Sequence, residues 1–137
     1  MLKEIYNLVR NRLIWIRVLS YAEKSDFFSA KQAFSKMKGY RTGSNTEIEL
    51  MKTVLDFHLK LYQPCLKHFK LFRESLHGNS NYSNAEKNYL QCYGDRILNE
   101  LKVVIPDAAD EPFMGDFNAI DKKSICNGIK LNFPLSM

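Results

Sequence analysis

Between Leu2 and about Ala22 the apolar residues Leu2, Ile5, Val9, Leu13 and Ile16 recur at intervals of three and four, with no proline or glycine among them. That spacing places the five on one helical face and predicts one helix, or two in tandem. Lys3, Arg10, Arg17 and Lys24 follow one another seven apart and form a basic ridge on another face if the helix is continuous. The pattern breaks at Ser25 and Asp26 and restarts with Phe27 and Phe28 at a turn. Asp26 is placed to cap a second helix that carries Ala30 and Ala33, with Phe34 and Met37 on its buried side. This predicts a helical hairpin in which Ala30 lets the helices approach and Phe34 fills the space one turn later. The second helix is expected to end near Gly39, with Lys36 and Lys38 in its last turn, followed by a connector from Gly39 to Asn45.

A third helix is predicted from Asn45 or Thr46 to Leu59, with Glu47 and Glu49 near its positive end and Leu50, Met51, Val54, Leu55 and Phe57 along it. Pro64 suits the first turn of a fourth, which carries Cys65 and Phe69. After the polar connector His77 to Ser83, Ser83 or Asn84 caps a fifth helix bearing Ala85, Tyr89, Leu90, Tyr93, Ile97, Leu98 and Leu101, which Gly94 weakens by about 1 kcal/mol relative to alanine. Beyond it Pro106 closes a short β-branched run, and an acidic stretch contains Phe113, Met114, Phe117 and Ile120. Near the end, Asn127-Gly128 is a turn dipeptide, and Ile129, Leu131 and Phe133 alternate with polar residues as in a strand that Pro134 stops.

The turn aromatic Phe27, the small Ala30 and the aromatic Phe34 recur 35 residues later as Tyr62, Cys65 and Phe69. Over residues 11–75 this resembles two degenerate copies of the tetratricopeptide repeat, whose period is 34 residues. Tyr21 stands where that family favours an aromatic. Ile14, with Trp15 beside it, takes the tryptophan place, Val18 takes the packing-glycine place, and Asp56 replaces the aromatic in the second copy. The resemblance implies stacked antiparallel hairpins whose first helices line a concave surface, with the fifth helix as a terminal cap.

A chain of 137 residues with 45% apolar composition suits one folded domain. No stretch approaches the roughly 18 to 20 apolar residues of a membrane span, and the charged N-terminus does not read as a signal peptide. The three cysteines, Cys65, Cys92 and Cys126, form no CxxC pair and suit a reducing compartment, so a cytoplasmic location is expected. The net charge of +5 is uneven. Residues 1–105 hold 17 basic and 10 acidic groups, 106–121 none and five, and 122–137 three and none.

Candidate chemistry is sparse. No phosphate loop, nucleophile elbow or HExxH motif is present, and no enzymatic activity or cofactor is expected. Cys65, His68, His58, His77 and Cys92 supply only half of the paired spacing of a zinc site, so no metal is expected. Cys65 falls at a packing position, where a thiol is inert. The ridge is interleaved with Tyr6, Trp15 and Tyr21, and the isoelectric point is about 9.1, which makes RNA or DNA binding the alternative reading. No recognised nucleic-acid motif accompanies it.

The expected architecture is all-α, with about five helices in stacked antiparallel hairpins over residues 1–105. Residues 106–137 form an irregular tail packed on the same domain, with room for a short β-hairpin. The acidic middle of that tail is a candidate to lie on the basic ridge or between hairpins. The expected function is stoichiometric binding of a protein or peptide with an acidic or hydrophobic surface, as in an adaptor, a secretion chaperone or a toxin-neutralising immunity protein. The candidate contact residues are Arg10, Arg12, Trp15, Arg17, Leu19 and Glu23 from the first hairpin and Leu50, Phe57 and His58 from the next, with Trp15 as anchor.

Overall fold

A computed structural model gives the conformation of residues 2–37 and 45–133. Among these the chain is all-α, with six helices and no strand: α1 (Leu2–Glu23), α2 (Phe27–Phe34), α3 (Asn45–His58), α4 (Tyr62–Gly78), α5 (Asn84–Val104) and α6 (Asn127–Asn132). Two compact units divide the chain, Met1–Thr42 and Gly43–Met137.

The first unit is the hairpin of α1 and α2. Asp26 caps α2 by accepting from the Ser29 N–H at 3.2 Å. At the turn, Ser25 N–H donates to the Ala22 carbonyl and Asp26 N–H to the Tyr21 carbonyl, both at 2.9 Å, with Ser25 at φ 60°. These bonds make a Schellman motif, which satisfies carbonyls that the end of α1 leaves open. Ala30 is fully buried where the helices cross, and the Phe34 ring meets Trp15 edge-on at 5.9 Å. Helix α2 stops at Phe34, before the expected end near Gly39. The Ser35 hydroxyl donates to the Gln32 carbonyl at 2.6 Å, and i→i+3 bonds from Lys36 and Met37 tighten the last turn. The expected connector lies, as far as Ser44, outside the described residues, as do Lys38 and Pro134.

In the second unit the same turn recurs 35 residues on. Lys60 N–H donates to Phe57 O at 3.0 Å and Leu61 N–H to Asp56 O at 2.9 Å, with Lys60 at φ 61°. Cys65 N–H then bonds Leu61 O as Ala30 N–H bonds Asp26 O. Cross-helix pairs Cys65 to Thr53, His68 to Glu49 and Thr46 to Ser75 run in opposite directions along α3 and α4, which fixes them as antiparallel. Helix α5 starts with a capping box of Ser83 and Glu86 and packs on α4 and α3. A Cβ on Gly94 would stand 2.8 Å from the Phe72 ring and 3.1 Å from that of Phe69. The glycine, costly for the helix by itself, is what lets α5 reach two fully buried phenylalanines.

From Pro106 the chain runs back along α5, and its acidic residues are held there. Glu111 pairs with Arg73 at 2.5 Å and Lys70 at 3.2 Å, and the Lys102 ammonium donates to the carbonyls of Ala108, Ala109 and Glu111. Buried Asp95 accepts from the backbone N–H groups of Met114 and Gly115 at 3.0 and 2.7 Å, with Gln91 on its other oxygen. Gly115 is close enough to Cys92 that a Cβ there would meet its backbone nitrogen at 2.9 Å.

The expected β-hairpin at the end is replaced by helix α6. Asn127 and Gly128 open that helix instead of turning a hairpin. Ile129 and Phe133, one helical turn apart, are buried while Leu131 between them is exposed, so the period is helical. Tyr93 meets the Phe133 ring at 5.3 Å, and the Tyr89 hydroxyl donates to the Phe133 carbonyl.

Candidate partner-binding surfaces

Helix α1 carries two apolar faces, and its hairpin covers one. Val18 is fully buried and Trp15 nearly so. Val9 lies nine residues before Val18, about two and a half turns, and therefore points the opposite way. With Val9 on that far side stand Leu2, Ile5, Leu13 and Ile16, each between 49% and 85% exposed. The face that the intervals of three and four pick out in the sequence is thus the bare one. Exposed Lys3, half-buried Arg10 and exposed Arg17 run along one edge of this stripe, while Lys24 falls in the turn after α1.

The nine candidate contact residues separate accordingly. Arg10, Arg12, Arg17, Leu19 and Glu23 are exposed or half-buried on α1. Trp15 is no exposed anchor: it is a core residue of the first hairpin, packed on Phe34. Leu50, the residue 35 positions on, is fully buried in the second hairpin for the same reason. Phe57 and His58, in the other unit, line a groove of about 270 Å³ with Val54, Tyr93, Arg96 and Glu100. Partial burial lowers the His58 pKa, which favours a neutral ring at neutral pH. Arg96 and Glu100 also border a second groove of about 390 Å³ closed by Phe113 and Phe117. Sequence reasoning did not assign Tyr93, Arg96 and Glu100 to a surface, although their spacing of three and four marks one face of α5.

The acidic tail segment is tied within its own unit. Its carboxylates Glu111 and Asp107 are engaged by Arg73, Lys70 and Gln63 of α4, and the backbone at Met114 to Asp116 is fixed by Asp95 and Asn88 of α5.

The titratable groups that approach one another bind α3 to α4. His68 Nδ1 is 2.7 Å from Glu49 and its Nε2 is 3.8 Å from the buried Asp56. Burial, reinforced by Asp56, pushes the neighbouring Cys65 thiol up to about 12, so it stays protonated and donates to the Thr53 carbonyl at 3.3 Å. A protonated, buried thiol is a poor nucleophile. Among the described residues no group of three His, Cys, Asp or Glu side chains could hold a metal ion, and no helix is long and apolar enough to cross a membrane. No family model, curated protein sequence or solved structure matches the chain.

Proposed function

We propose that this protein is a non-catalytic binding module that forms a stoichiometric complex with a specific protein partner. The observation that carries the reading is the apolar stripe of α1, left bare on a helix whose opposite face already supplies the hairpin core. A contiguous row of exposed aliphatic side chains is costly in water and is characteristic of surfaces that associate. The repeat of turn and core positions at 35 residues supports a kinship of design with tetratricopeptide-like hairpins, which serve as binding scaffolds. Adaptor, secretion chaperone and immunity protein are the settings that such a module fits. Nucleic-acid binding is the weaker reading, because of the aromatics near the ridge Trp15 is turned into the hairpin and Tyr21 is half-buried, which leaves Tyr6 alone exposed beside the cations.

The test is isolation of the full chain from its own host. A second polypeptide is expected in one-to-one ratio, lost when Leu13→Ser and Ile16→Ser are combined. Tight, sequence-selective RNA binding at physiological salt, unaffected by those changes, would reverse the assignment.

A further inference from the structure

We infer that the occupant of the bare α1 face is an acidic amphipathic helix of the partner, laid along the stripe with carboxylates against the row Lys3, Arg10, Arg17. This rests on the binding-module reading and adds the shape and charge of what is bound.

The shape follows from two periods kept in step. Leu2, Val9 and Ile16 stand seven apart, and so do Lys3, Arg10 and Arg17 immediately beside them. A seven-residue spacing holds a row nearly parallel to the axis of a helix, which is the condition for a second helix to pack along it as a continuous seam. Ile5 and exposed Leu8 flank the first row on one side and Leu13 and exposed Tyr6 on the other, and the seam spans about 20 Å from Leu2 to Ile16. That length takes a partner helix of about three to four turns or more.

The charge excludes the nearest alternative. If a second copy of this chain supplied the opposing helix antiparallel, the row Lys3, Arg10, Arg17 would face its own duplicate along one edge. If it ran parallel, that row would lie beside Arg12 of the other copy. Either pairing sets cation against cation, a mismatch that costs affinity, whereas an acidic flank on a partner helix meets the row with opposite sign. Among the described residues Lys3, Arg10 and Arg17 make no ion pair within the chain, so the row is available to such a flank. The acidic segment of the chain itself is committed to α4 and α5. A lipid surface is a poorer fit, because the chain's one Trp, a preferred interfacial anchor, faces α2.

The experiment uses the full chain and two labelled synthetic helices of about three heptads each, alike in a leucine seam and differing only in glutamate or lysine flanks. Fluorescence anisotropy is expected to give the glutamate peptide at least about tenfold higher affinity, with the gap closing as salt rises. Arg10→Glu with Arg17→Glu is expected to invert the preference, and Val9→Ser with Leu13→Ser to abolish binding of both peptides. All four positions are exposed or half-buried, and circular dichroism checks that helicity is kept. Equal affinity for the two peptides, or no inversion, overturns the acidic helix. If the natural complex is nevertheless lost in the serine variants, the binding-module reading survives that result. Binding to phosphatidylglycerol vesicles in place of the peptides, or stripe-dependent self-association in sedimentation velocity, overturns it in favour of a membrane or a second copy.

Discussion

The first helices of the two hairpins enter the same kind of turn with the same core register and have different fates. Helix α1 buries two of its 22 residues, Trp15 and Val18, whereas α3 buries seven of 14. The difference lies in the neighbours. Helix α4 is 17 residues long and runs the length of α3, and α5 packs on both, while α2 ends after eight residues. A turn is made by local bonds and therefore repeats with the sequence; burial is made by what arrives on the other side. The first hairpin is consequently a thin unit with a face to spare, and the second is the centre of a core.

Deleting the equivalent aromatic in each hairpin is the most severe way to break this comparison. Phe69→Ala, at a fully buried site beside Phe72 and Gly94, is expected to cost about 4 kcal/mol, and Phe34→Ala about 3 kcal/mol because a two-helix unit collapses more readily around the gap. Urea denaturation read by hydrogen exchange in each unit measures both, and a larger loss at Phe34 would contradict the contrast in cores. Next in size, Asp95→Ala removes the acceptor of two backbone N–H groups and is expected to cost about 2 to 3 kcal/mol. Exchange at Met114 and Gly115 should accelerate while α3 and α4 stay protected. If protection along Pro106 to Asp116 is unchanged, Asp95 does not hold the segment.

Smaller effects test what the hairpins share. Ser25 and Lys60 occupy the left-handed region without being glycine, so Ser25→Gly and Lys60→Gly are each expected to stabilise their own unit by about 1 kcal/mol. Unequal gains would mean that the two turns differ in strain despite their matching bonds. The smallest effect is electrostatic. The hydrogen bond from Arg73, with a smaller contribution from Lys70, lowers the Glu111 pKa in the folded state against the opposing effect of burial. Its stabilisation is therefore complete above the ordinary carboxylate range and fades as pH falls through the lowered value. Exchange along residues 106–112 should rise first on acidification, and Arg73→Gln should move that rise to higher pH. An acid transition unmoved by Arg73→Gln would remove the pair from the account.

The hairpins were legible because their signals are local. Asp26 as a cap, Phe27 and Tyr62 at the turns, and Ala30 and Cys65 at the crossings all act within a few residues, and each stands where expected. The left-handed residues carried no glycine to announce them. The final strand was misread because Ile129, Leu131 and Phe133 fit a period of two, while the pair Ile129 and Phe133 fits a helical turn equally well. Only the seat offered by Tyr89 and Tyr93 selects the latter. Trp15 was misplaced for a related reason: α1 is apolar on two sides, and periodicity marks faces without saying which one is met.

What the amino-acid order determined by itself is where the helices start, how the hairpins turn, and that the turn recurs at 35 residues, since caps and Schellman bonds close over short spans of backbone. What only the tertiary structure decided is which apolar face of α1 is covered, where the acidic segment is tied, and whether the last residues coil or extend. Those outcomes depend on contacts between residues far apart in the chain, such as Trp15 with Phe34, Arg73 with Glu111 and Tyr89 with Phe133, and no local pattern encodes which distant partner will be present.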